Sequence, residues 1–419
     1  MARVRIDDLA CPRYTDAQRA ALEFEKSLHV ELDAQAILEE ASGTLKLDDF
    51  GRMDFVARLA RLCDEWRNDP DLNNLGRFNL RNKLLRYAKN RLLIQDTLKR
   101  HPDIHEVKIE RPIIVAGLPR SGTTHLLNLL AADSRLRSLP LWESYEPVPI
   151  PGEHASQGGA DPRYARCAEA WTQMQQMVPL LAAMHPMNPD HIHEELELMG
   201  PDFASYNFEW LSVSPRWRDY YFASDQTPHY EYMRTVLKLL TWQDGAPRRW
   251  VLKCPQHLEQ LHVLKRMFPD ATLVFTHRDP VAVIQSAATM IAYGHRMSRR
   301  RVAPEGVLDY WTKRIHHLLA ACVRDRHLWS EAQSVDVLFH EFMADDMGTI
   351  LQIYERAELP MTEASDAALR RYAETHTRGR HGQIVYDLKQ DFAADPAELR
   401  RKFEFYLQRF PVQVESEAI

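Results

Sequence analysis

Cysteine is scarce in this 419-residue sequence: there are five (Cys11, Cys63, Cys167, Cys254 and Cys322), scattered and never paired as Cys-x-x-Cys. That argues against a disulfide framework or a cysteine-held zinc site and fits a reducing compartment. No apolar run approaches the roughly 18 residues of a membrane-spanning helix. The N-terminus also lacks the apolar core of a secretory leader. The expectation is a soluble, cytoplasmic protein without integral membrane association. An excess of positive charge is missing as well. The net charge of −6 argues against a nucleic-acid binder. Any anionic ligand must therefore be held by local cations against an unhelpful overall field.

The first hundred or so residues are poor in glycine and show no strand-like alternation, so an all-helical region over 1–105 is expected. Leu28, Leu32 and Ala36, with Ile37 and Leu38 beside them, suggest one helix. Phe55, Leu59, Leu62 and Cys63 suggest a second, and Leu80, Leu84, Leu85, Ala88 and Leu92 a third from 79 to about 99. The pattern changes at Arg111. Strands are expected near 112–117, 249–252, 271–276 and 335–339, and helices near 122–132, 257–267, after Asp279-Pro280, and 305–332. A helical insertion is expected at about 161–243. Strands alternating with helices imply an α/β domain over 106–419: a P-loop-like parallel sheet flanked by helices, with ligands at the carboxyl ends of the strands.

Directly behind the apolar run Ile113-Ile114-Val115-Ala116 stands Gly117-Leu118-Pro119-Arg120-Ser121-Gly122-Thr123-Thr124. A glycine-rich turn opening a helix exposes backbone N–H groups and a positive dipole end, which together cradle an anion. The spacing nearly matches G-x-x-x-x-G-K-[ST]. One residue is missing from it: Thr123 replaces the lysine that would meet β/γ-phosphates, and Arg120 is the loop's only cation. Lys253 lies at the end of the second core strand. Arg278 lies just beyond the third, with Ser286 eight residues on. In a parallel sheet these strand ends face one crevice, so the three groups can converge on one polyanion.

With these residues in order, the chain resembles the sulfotransferase superfamily that uses 3′-phosphoadenosine 5′-phosphosulfate (PAPS). Pro119-Arg120-Ser121-Gly122-Thr123-Thr124 is similar to that family's 5′-phosphosulfate loop. Arg278 and Ser286 reproduce the spacing of its 3′-phosphate pair. Thr377-Arg378-Gly379-Arg380-His381-Gly382 is similar in character to its late basic loop, though it departs from Arg-Lys-Gly-x-x-Gly. The resemblance runs over about 111–390 and points to bacterial-type enzymes related to the tyrosylprotein sulfotransferases. It implies PAPS as co-substrate, 3′-phosphoadenosine 5′-phosphate (PAP) as product, no metal, and a hydroxyl (less so an amine) of a small or lipophilic molecule as acceptor. Arg120, Ser121, Gly122, Thr123, Thr124, Arg278, Ser286, Arg378, Gly379 and Arg380 would bind the nucleotide. Arg120 and Lys253 would meet charge on the bridging oxygen as the S–O bond breaks.

The acceptor must also lose a proton, and two residues compete to take it. Glu143 lies about twenty residues beyond the loop, as the glutamate of tyrosylprotein and heparan-type enzymes does. His257 lies four residues after Lys253, where cytosolic enzymes space their histidine by two. Histidine is the natural base near neutral pH. In His191-Ile192-His193-Glu194-Glu195 a helical backbone would point the two histidines to different faces, so a metal is not expected there and lining of an acceptor pocket is. The basic run from His295 to Arg301 is either a solvated loop or a contact for an acidic ligand. Two other functions remain open on these residues: an ATP-dependent small-molecule kinase, and a non-catalytic nucleotide-binding protein.

Overall fold

The computed structural model describes residues 3–153, 161–376 and 382–415. Its centre is a five-stranded parallel sheet of β2 (Ile113–Gly117), β3 (Leu136–Arg137), β4 (Arg249–Lys253), β5 (Thr272–His277) and β6 (Ser334–Leu338), in the order β3-β4-β2-β5-β6. The two middle strands, β2 and β5, are buried along their whole length, as strands covered by helices on both faces must be. The chain runs from β2 outward to one edge, returns through β4, and then crosses to β5 on the other side. The carboxyl end of β2 is thus the switch point where such sheets take ligands.

Each strand expected from 112 to 339 is present within a residue or so, and the helices that follow them are Thr123–Ala131, Leu261–Met267 and Pro280–Ser298. Asp279 caps the last of these, its carboxylate accepting from the Val281 N–H at 3.0 Å, with Pro280 at the first helical position. Three expectations are corrected. The expected 257–267 helix is split at Gln260, whose φ of −126° is not helical, and His257 sits in a short 3₁₀ turn, Pro255–Glu259, ahead of the helix Leu261–Met267. Asp33 caps the first long N-terminal helix, Ala34–Leu45, so Leu28 and Leu32 lie ahead of it. The first hundred residues are not wholly helical: β1 (Arg3–Arg5) pairs in parallel with β7 (Gln383–Val385), a pairing across nearly the whole chain that no local pattern signals.

The helices Phe55–Arg67 and Asn74–Arg100 share an apolar cluster with Phe203, Phe208, Trp217 and Tyr221 of the insertion. Two buried carboxylates bolt the same surfaces together. Asp202 accepts from Arg58 and Arg91, each at 2.9 Å, and pairs with His229 Nδ1 at 2.5 Å. Glu197 is held by Lys83 at 2.6 Å, Arg86 at 3.0 Å and the Tyr87 hydroxyl at 2.9 Å. Removing one partner from such a buried pair leaves an uncompensated charge, at a cost of about 3–5 kcal/mol. The N-terminal helices therefore hold the insertion in place above the strand ends.

Candidate active site

The loop after β2 is fixed from both sides. A Cβ on Gly117 would stand 1.8 Å from the Thr276 hydroxyl oxygen, so only glycine lets β5 approach here. Ser121 donates to the Leu118 carbonyl at 2.6 Å, and its oxygen lies 2.7 Å from that same Thr276 hydroxyl. Two residues turn left-handed, Gly122 at φ 84° and Arg120 at φ 65°. For arginine that backbone costs on the order of 1–3 kcal/mol, a strain typical of ligand sites. The result aims the free N–H groups of the helix Thr123–Ala131 into the crevice.

Arg120 ties this loop to the end of β5. Its Nε donates to the Ser286 hydroxyl at 3.0 Å, and its carbonyl accepts from Arg278 Nη1 at 2.5 Å. Ser286 also lies 2.9 Å from the Tyr386 hydroxyl. The Arg278 guanidinium stacks 4.0 Å from the Phe339 ring centroid and grips the Glu415 carboxylate through two bonds, at 2.5 and 2.7 Å. That fork is the geometry with which arginine binds planar oxyanions. Arg378, Gly379 and Arg380 lie outside the described residues.

At the end of β4, Lys253 is only 2% exposed. Its N–H donates to Glu195 Oε2 at 2.9 Å, and its ammonium is paired with Glu194. Burial pushes the Glu194 carboxyl up, with Lys253 pulling it down, yet its side chain stays 12% exposed. His257 has no exposed surface. Its Nε2 meets Glu195 Oε1 at 2.5 Å and its Nδ1 the Tyr230 hydroxyl at 2.9 Å, so both ring nitrogens are engaged inside the protein. Glu143 is buried too, and both its oxygens accept from Arg137 Nη2 at 2.7 Å. Arg137 is held in turn by Asp244 at 2.6 Å. Burial raises the Glu143 carboxyl against that pull. Among the described residues, the hydrogen bonds of His257 reach Lys253 through Glu195, and those of Glu143 lead away from it.

The expectation about His191 and His193 rested on a helix that is not there. Residues 191–193 run extended beside 139–141: His193 N–H donates to the Leu139 carbonyl at 2.7 Å, and Leu141 N–H to the His191 carbonyl at 2.8 Å. Alternation along an extended segment puts both histidines on one side. Their rings lie 6.3 Å apart, and His185 joins them at 5.5 and 6.3 Å. The basic run at 295–301, by contrast, is largely spent on structure. Arg296 pairs with Asp8 at 2.9 Å, Arg299 with Asp69 at 2.7 Å, and Arg300 donates to the Pro70 carbonyl at 2.8 Å.

An arginine-bearing loop at the switch point is joined to a second arginine at the next strand end, and the neighbouring strand β4 ends in a buried Lys–Glu pair, an arrangement suited to an anionic ligand. The chain belongs to the sulfotransferase family, whose model matches residues 112–363. The crystal structure of sulfotransferase STF1 from Mycobacterium tuberculosis H37Rv is similar at 28% identity with a TM-score of 0.77, covering 90% of this chain and 99% of that one. Sulfotransferase STF9 from Mycobacterium avium shares the fold at 24% identity, with a TM-score of 0.81 over 92% of this chain and 98% of that one. Among the curated proteins no sequence matches. Within the described residues, no helix is long and apolar enough to cross a membrane.

Proposed function

We propose that the chain transfers a sulfuryl group from PAPS to a hydroxyl of a small or lipophilic acceptor and releases PAP. The observation that carries this reading is Arg120, whose Nε reaches Ser286 and whose carbonyl holds Arg278. One residue thereby joins the loop suited to a 5′-phosphosulfate to the pair suited to a 3′-phosphate. The donors present fit the nucleotide: the helix N-terminus and the hydroxyls of Thr123 and Thr124 at one end, Arg278 and Ser286 at the other. The bidentate grip on Glu415 supports Arg278 as an anion holder.

In this reading the acceptor oxygen attacks sulfur in line, the S–O bond to the 5′-phosphate breaks, and Lys253 and Arg120 meet the charge growing on that phosphate. Glu194 takes the acceptor proton. It is the carboxylate on Lys253, it retains some exposure, and its burial makes it a stronger base than an ordinary glutamate. His257 acts as a positioning residue, holding Glu195 against the Lys253 backbone. Glu143 braces β3 through Arg137.

Thermal denaturation tests the nucleotide. A ligand that binds only the folded chain stabilises it by about 2.7 kcal/mol at a hundredfold excess over its Kd. PAP is expected to raise Tm, and ATP with magnesium to leave it nearly unchanged. The reverse order would favour a kinase. A rise with PAP but no transfer to any hydroxylic acceptor would favour a nucleotide-binding protein without catalysis.

A further inference from the structure

We propose that His185, His191 and His193 form a binding site for a divalent transition-metal ion, with zinc as the ion their chemistry suits. One ring nitrogen from each lies within 4.8 Å of the others. Three nitrogens about a tetrahedral zinc, at Zn–N distances near 2.0–2.1 Å, stand about 3.3 Å apart. The closure needed is within the range of the soft final torsion of a histidine ring. The backbone has already done the harder part. The extended run at 191–193, clamped to Leu139 and Leu141, turns two rings to one side, and His185 reaches them from the end of the helix Leu181–Met184.

A histidine ring ligates a metal through an imidazole nitrogen lone pair. His193 is 7% exposed, and its Nδ1 is buried without a hydrogen-bond partner. A buried polar atom in that state costs free energy that a ligand would recover.

The cations around the cluster do not oppose a dication as strongly as their number suggests. Lys253 is paired with Glu194, and Glu197 offsets one of the two charges on Lys83 and Arg86. Arg120 adds a further positive charge, held with its Nη1 on the Met184 carbonyl at 2.5 Å. Three imidazoles with no cysteine select zinc, copper or nickel over magnesium or calcium, which prefer oxygen. Three protein ligands also leave a fourth position, the arrangement that acidifies a bound hydroxyl or water. Lys253 is close enough to act electrostatically on His185 and His193, and the cluster is next in sequence to Glu194. Metal binding itself does not depend on the PAPS reading.

The test uses the full chain without a histidine tag, stripped with chelator and titrated with cobalt(II). One equivalent is expected to bind with the intense visible absorption of a tetrahedral nitrogen site, and zinc to displace it. His193→Ala should abolish that absorption. His185→Ala, at the more exposed ligand and so less prone to misfold, should weaken binding at least tenfold with Tm largely kept. Absence of the absorption from the wild-type chain would overturn the proposal, as would identical titrations for wild type and both variants. Neither result would bear on PAP binding, which is measured separately.

Discussion

Replacing Lys253 with Met will lower kcat for sulfuryl transfer by about 100- to 1,000-fold, the usual cost of losing one preorganised charge-stabilising donor. The Met side chain keeps the length and apolar stem of lysine in a position that is 2% exposed, so the packing around β4 is retained. What disappears is the ammonium that pairs with Glu194 and, in the proposed mechanism, meets the departing phosphate. Steady-state kinetics with PAPS, beside a PAP titration, separate the effects. The expected pattern is a collapse of kcat with the Kd for PAP changed little. If the variant keeps near-full turnover at saturating substrates, Lys253 has no part in the transition state. If affinity and rate fall together, its role is binding.

Glu194→Gln is expected to cost about 100- to 10,000-fold in kcat, the range of a positioned general base. Its pH dependence distinguishes that role from a structural one. The carboxyl is raised by burial, so in the wild type activity should fall on the acid side as pH drops through a value above the ordinary glutamate range. The base must be ionised to accept the proton, hence the loss at low pH and the plateau above it. Glu194→Asp should retain part of the rate and the acid limb, and Glu194→Gln should lose both. His257→Asn is the control, because a ring engaged at both nitrogens should influence rate only by loosening Glu195. If Gln at 194 is harmless and Asn at 257 is not, the assignment reverses.

The part of the site proposed for the nucleotide has local signals. Gly117 to Thr124 lie in one turn, Arg278 follows its strand directly, and Ser286 comes two helical turns later on a helix announced by Asp279-Pro280. A run of contiguous apolar residues marks each buried strand, which is why β2, β4 and β5 were legible within a residue or so. The two-residue β3 and the β1–β7 pairing are too short to alternate, and their partners come from distant parts of the chain.

The part proposed for the acceptor was harder to read because its side chains depend on backbone conformation. His191 and His193 diverge on a helix and converge on an extended segment, and nothing in their own sequence announces that residues 139–141 will straighten them. Glu194 and Glu195 were visible only as acidic neighbours. Their assignment to the Lys253 ammonium and backbone comes from contacts about sixty positions away. Glu143, whose distance from the loop suits a base, is engaged by a near neighbour instead. Arg137, six residues before it, claims both of its oxygens.

The central claim is that the strand ends joined by Arg120 transfer sulfur and not phosphorus. It is tested most directly by following ³⁵S from labelled PAPS, and ³²P from γ-labelled ATP, into a panel of hydroxylic acceptors. The wild-type chain should move ³⁵S to an acceptor with one PAP released per product, and Arg120→Ala should lose that transfer. Incorporation of ³²P in place of ³⁵S, or ³⁵S transfer undiminished in Arg120→Ala, would contradict it.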